Sequence, residues 1–236
     1  MTPTTARDDP DHLRSAGGPV AAPANRQAEG RALVRRARRL AARLLDRSPD
    51  RWRHVQAVAR RAEAAAAAVP PGDRALVVAA AWLHDIGYAP ELRRTGFHPL
   101  DGALYLRERG WPPVVVGLVA HHSGARLVAG TRGLADRLAA LGYDDCASGP
   151  LADALTYADQ TTGPDGRAVD VDERLADAVR RHGSGSPTGR IHADRAPVVR
   201  AAVRRTEHRL HLAATAPTAP AAPAGVGSPE VGSPAR

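Results

Sequence analysis

Trp82-Leu83-His84-Asp85-Ile86-Gly87 places a histidine and an aspartate side by side at the end of an apolar run, with a glycine close behind. Other candidate ligands gather about this pair: His54 upstream, then His98, His121-His122 and Asp159 downstream. Imidazole nitrogens mixed with carboxylate oxygens suit a divalent transition metal better than calcium. A buried carboxylate without a partner is costly, so Asp85, delivered by an apolar run, requires a cation or several donors. A lone histidine on an apolar stripe, such as His54, is more often a hydrogen-bonded core residue. The case rests on the set.

The elements that must position these groups read as helices. Ser48-Pro49 predicts a helix start, with Ser48 as cap and Pro49 at the first position. That helix carries His54 and runs through Val55, Val58 and Ala62 until Pro70-Pro71-Gly72 ends it. Asp73 caps the next, whose Leu76, Val77, Ala79, Ala80, Ala81 and Leu83 are apolar almost all round, as in a central buried helix. Neighbouring helical residues point about 100° apart. His84 and Asp85 therefore converge on one ion only where the helix ends, and Gly87 supplies that ending. The same device recurs when Val114–Ala120 lead into His121-His122, with Ser123-Gly124 directly after. Asp159 lies along the apolar stripe of Leu151, Ala154, Leu155 and Ala158, where an acid is again costly unless it binds something. Residues 131–142, 171–181 and about 194–212 read as further helices, with a joint at 182–189. No strand pattern, glycine-rich nucleotide loop or internal repeat is present.

Composition supports this. The chain has 236 residues, 43% hydrophobic but only 3% aromatic. Its core must be Ala, Leu and Val, which favours packed helices over a sheet. Every residue in the Lys+Arg count is arginine, and the net charge is +8. That charge sits in the flanks: residues 1–48 hold ten Arg against five acids and residues 184–236 seven against three, leaving sixteen against seventeen between them. A near-neutral centre argues against a nucleic-acid recognition face, although basic flanks attract polyanions weakly. Residues 1–28 and 213–236 read as disordered tails around a domain at 29–212. One cysteine, Cys146, excludes a disulfide framework and a thiolate metal site. No stretch reads as a signal peptide or membrane span, so the cytoplasm is the expected compartment.

The order His54 … His84-Asp85 … Asp159 resembles the ligand signature of the HD-domain superfamily of metal-dependent phosphohydrolases, across roughly residues 50–182. The resemblance implies an all-α fold, an HD-like bundle of about seven to nine helices, holding one or two divalent ions (Mn, Fe, Co, Ni or Zn, with Mg also compatible). His98, His121 and His122 are similar in placement to the extra histidines of the two-metal branch that includes the cyclic-dinucleotide phosphodiesterases. Tyr88 stands where that branch often has lysine, Ser123 follows the His-His pair where an acid is expected, and the Gly-Tyr-Pro motif is missing. These departures argue against cyclic di-GMP as substrate and leave the metal site untouched.

What the resemblance implies is hydrolysis of a phosphate ester, of a nucleotide or other small phosphorylated metabolite, by metal-activated water. Asp85 is then the bridging ligand of a two-ion site, and His98 either a ligand of the second ion or a proton carrier. Arg93, Arg94 and Arg126 lie near the motifs in sequence and are candidates to bind phosphate bidentately. Loops 88–97, 123–131 and 142–150 are expected to form the specificity pocket. Two rivals stay open: an HD-type di-iron oxygenase, and a non-catalytic HD module that binds a nucleotide or partner.

Overall fold

The computed structural model describes residues 23–216. The expected tails therefore lie outside the described residues over 1–22 and 217–236. Where they overlap the structure, residues 23–28 and 213–215 are helical. α1 spans Pro23–Leu45, so the helical domain begins before the expected boundary at residue 29. Pro23, which reads as a breaker, is well suited to a first helical turn, where its missing N–H has no partner to lose.

α2 (Pro49–Ala64), α3 (Arg74–Leu83), α4 (His98–Glu108) and α5 (Pro113–His121) follow, then α6 (Ala125–Thr131) and α7 (Ala135–Ala139). α8 (Pro150–Gln160), α9 (Val171–His182), α10 (Pro187–Arg190) and α11 (His192–Thr215) complete the described chain. Among the described residues the fold is all-α, with no strand beyond a single bridge between Thr162 and Ala168. No described helix is long and apolar enough to cross a membrane.

α3 is the axis of the bundle. Every residue from Val77 to Leu83 is buried, and α1, α2, α5 and α8 all pack on it. The core is built of Ala, Val and Leu, with Leu45, Leu83, Leu100, Leu106, Leu118 and Leu155 among its fully buried side chains. α11 packs along α8, and Leu175, Ala196 and Val199 form a smaller cluster joining α9 to α11.

Several local expectations need correction. Ser48 and Asp73 stand at the cap positions of α2 and near α3, but neither side chain makes a capping bond. Asp170 does cap α9, accepting from the Asp172 and Glu173 amides. The single helix expected over 131–142 is broken, because Gly133 takes φ +67° and the Leu134 amide turns back to the Ala129 carbonyl. Glycine makes such a left-handed stop cheap. The joint at 182–189 contains the start of the short helical turn α10, capped by the Ser186 hydroxyl.

Candidate metal centre

Three histidines present Nε2 to the interior for one reason. His54, on α2, holds Nδ1 2.9 Å from the Gly163 carbonyl oxygen. His84, just past α3, holds Nδ1 2.8 Å from the Ala81 carbonyl, and His122, just past α5, 2.7 Å from that of Val119. A carbonyl oxygen only accepts, so each Nδ1 carries a hydrogen and each Nε2 is the atom left for an ion. His84 and His122 use the carbonyl three residues upstream, one of those a helix end leaves without an amide.

Asp85 joins two groups. Its Oδ2 lies 3.2 Å from His84 Nε2 and 3.8 Å from His54 Nε2, while its Oδ1 lies 3.2 Å from His98 Nε2. The ligand atoms of His54, His84 and Asp85 fall within 4.8 Å of one another, and so do those of Asp85, His98 and His122. Asp159 completes the first group, with Oδ1 3.2 Å from His54 Nε2 and 3.9 Å from His84 Nε2. Its Oδ2 is held by the Ser123 hydroxyl at 2.5 Å and the Gln160 amide at 2.7 Å. Outer bonds of this kind aim a carboxylate at a metal.

His84 Nε2 is buried and makes no well-aligned hydrogen bond among the described residues, its nearest acceptor being Asp85 Oδ2 at 3.2 Å. An imidazole nitrogen so placed beside two carboxylates is a donor set that fits a divalent transition metal.

The electrostatics agree. Burial alone would lower the His84 imidazole, but Asp85 and Asp159 outweigh it and raise it to about 9. Burial would raise both carboxyls, yet Arg51 and His84 hold Asp85, and His54 and His84 hold Asp159, well below the usual carboxylate range. Burial, helped by charge on His84 and His98, pushes His122 down to about 3.

These shifts fix how the metal-free protein responds to pH. His84 titrates higher folded than unfolded, so its contribution to stability is complete below pH 6.5 and lost as pH rises through about 9. His122 titrates lower folded, so stability falls as pH drops below 6.5 toward about 3. The lowered carboxyls add to the acid limb. The Tm of chelator-stripped protein should therefore peak near the ordinary histidine value and decline toward pH 9. A Tm flat over that interval would remove the charged His84.

The backbone explains how neighbouring residues converge. Leu83 is the last residue of α3, and Asp85 has left helical geometry at φ −107°, ψ 8°. Gly87 does not act through a left-handed turn; it is absent from the positive-φ glycines. A Cβ there would stand 2.0 Å from the His98 carbonyl oxygen. Glycine lets the His84-Asp85 segment and the start of α4 touch. In the first turn of α4, Asp101 accepts from the amides of Thr95 and Gly96, fixing the preceding loop that delivers His98.

His121 is not brought to this centre. Both its ring nitrogens are buried without partners, and Asp144 and Arg126 are the charges that act on it. His121 ends α5, whereas His122 leaves helical geometry at ψ 147°. The break separates the two rings, and only His122 reaches Asp85. His121→Leu should keep full metal content without lowering Tm, because the unpaired nitrogens go with the ring. His122→Ala should lose metal from the second group; equal losses in the two variants by elemental analysis would contradict the geometry.

The centre opens into a cavity of about 350 Å³. None of Arg93, Arg94 and Arg126 lines it. Leu92 is buried, and the residues after it turn outward: Arg93 is exposed and Arg94 pairs with Glu108 on the surface. α6 buries Ala125 and Ala129, so Arg126 points away, toward Asp144 at 3.4 Å. Loops 88–97 and 123–131 do contribute to the cavity wall, but 142–150 does not, and residues 174–195 take its place.

Sequence reasoning missed Arg51, Ser123, Gln160 and Arg195. Arg51 Nη1 lies 2.6 Å from Asp85 Oδ2, and its guanidinium covers the Tyr88 ring at 4.1 Å. Tyr88 in turn stacks on His98 at 4.1 Å and 18°. Arg51 had a signal, since it stands three residues before His54 on one helical face. Arg195, an insertion of charge from α11, had none.

The HD-domain family model matches residues 51–161. The chain carries an HD domain. That span contains all six clustered residues, His54, His84, Asp85, His98, His122 and Asp159, and the HD superfamily comprises metal-dependent phosphohydrolases. No curated protein and no solved structure matches the chain. Within the HD domain Ser123 holds Asp159, which gives the departure after His-His a structural role. α9, α10 and α11 lie beyond the HD match and close the cavity over it.

Proposed function

We propose that the protein hydrolyses a phosphate ester of a nucleotide or small phosphorylated metabolite, with two divalent ions shared through Asp85. One observation carries the two-ion reading: the oxygens of Asp85 face two separate donor groups. His54, His84, Asp85 and Asp159 would hold one ion, and Asp85, His98 and His122 the other. Bound there, divalent ions lower the pKa of water and neutralise phosphoryl charge.

The protein's own groups do the rest. Ser123 and Gln160 fix Oδ2 of Asp159 and leave Oδ1 directed inward. Three backbone carbonyls fix the histidine tautomers. Tyr88 holds the His98 ring flat at the cavity mouth, where His98 is a quarter exposed and within reach of a substrate proton. Arg51 neutralises Asp85 and stands beside the space a phosphoryl oxygen would enter, a role for which its planar fork is suited. One cysteine, Cys146, and no disulfide to preserve suit a cytoplasmic setting.

Purified protein should carry close to two equivalents of metal by elemental analysis. With manganese or iron it should release phosphate from a panel of nucleotides and sugar phosphates. Oxygen uptake by the iron form without phosphate release would replace hydrolysis by the oxygenase reading, and no metal after soaking would leave a regulatory module.

A further inference from the structure

The donor groups leave unused a set of arginines in the same cavity, contributed mostly by helices beyond the HD domain. Arg195, on α11, is only 8% exposed. Its Nε donates to the Ser123 carbonyl at 2.8 Å and its Nη2 to the Gln160 side-chain oxygen at 3.2 Å. Among the described residues it has no ion-pair partner. Arg174, on α9, has a side chain 11% exposed and a buried Nε without an acceptor. Among the described residues its ion-pair partner is Asp177 at 3.8 Å, which already bonds Arg181 at 2.6 Å and lies 3.5 Å from Arg180, while Asp159 acts on it only from farther away. One acid thus serves three guanidinium groups. Arg181 and Arg132 also line the cavity, the latter donating to the Gly96 carbonyl.

Buried guanidinium groups without matching carboxylates are unfavourable unless an anion accompanies them. The forked donors of arginine match phosphate oxygens in particular. Arg195 is also tied to the metal centre, because Ser123 and Gln160 are the residues that hold Asp159.

We propose that Arg174 and Arg195, with Arg181 and Arg132 beside them, form an anion subsite for a second phosphate, so that the substrate carries two phosphate groups, one at the metal centre and one here. This rests on the phosphohydrolase reading for the group that is cleaved, but not for the binding of the second. The subsite belongs to α9 and α11, so it would set specificity independently of the HD signature.

Inorganic pyrophosphate titrated calorimetrically into the metal-loaded protein tests it, with orthophosphate as comparison. Pyrophosphate should bind more tightly than orthophosphate. Arg174→Gln should weaken it about tenfold or more, as expected for one charge-assisted bond. Arg181→Gln should weaken it less, and exposed Arg204→Gln should change nothing. Arg195 bridges buried groups and its loss endangers the fold, so the Arg174 variant, checked by circular dichroism, carries the test. Pyrophosphate binding that is absent, or unchanged in Arg174→Gln, overturns the subsite even if phosphate esters are hydrolysed. Arg174-dependent binding without any hydrolysis would keep the subsite and overturn the hydrolase.

Discussion

Asp85→Asn should empty both donor groups of the candidate metal centre while the helical fold persists. The substitution keeps the side-chain volume but removes the charge that both donor groups share. Outer-shell substitutions cost roughly 10–100-fold in metal affinity or activity; loss of the shared ligand should exceed that in both. Arg51 also loses its 2.6 Å partner, but a quarter of its side chain is already exposed, so it can turn to water. The buried His84 imidazole loses the largest of the carboxylate charges that raise it, and the alkaline fall in metal-free stability should shrink with it. Elemental analysis and far-ultraviolet circular dichroism on the same preparation give the answer. Retention of two equivalents of metal would refute the site.

Gly87→Ala should be the most damaging glycine-to-alanine substitution among the described residues. The added Cβ would meet the His98 carbonyl oxygen at 2.0 Å and the Gly102 amide nitrogen at 2.8 Å. Both are backbone atoms, so no side chain can rotate away. Overpacking of this kind costs typically 1–3 kcal/mol and occasionally more, and at this distance about 3 kcal/mol is a fair minimum. For a chain of this size that is a fall of roughly 6–12 °C in Tm. The strain falls on the contact that sets His98 against Asp85, so the second donor group should lose its ion before the first. A Gly87→Ala protein with the parental Tm and metal content would show that the close approach is not needed.

Much of the site was legible because the signals were local. An apolar run ending in His-Asp announces a buried charge, and a buried charge needs a partner whatever the fold. The repeat of that device at His121-His122, and Asp159 on an apolar stripe, point to one centre. The helices were legible for the same reason: alanine- and leucine-rich periodicity has few other ways to be buried. The limits of local reading appear at particular residues. His121 and His122 are alike in sequence, and only the backbone break between them selects His122. Arg93, Arg94 and Arg126 are near the motifs along the chain but face solvent, because the buried neighbours Leu92 and Ala125 fix the opposite direction.

The sequence by itself determined the fold class, the central helix and seven candidate ligands, six of which the candidate metal centre gathers, since burial of charge and helical period act within a few residues. Only the tertiary structure decided which arginines meet the cavity. Arg51 and Arg195 arrive on α2 and α11, separated by 144 positions in the chain, and no periodicity within either helix encodes the packing that brings them to one place. It also decided what Gly87 is for: its freedom from a side chain matters to the helix beside it, and a contact between two backbones leaves no trace in either segment alone.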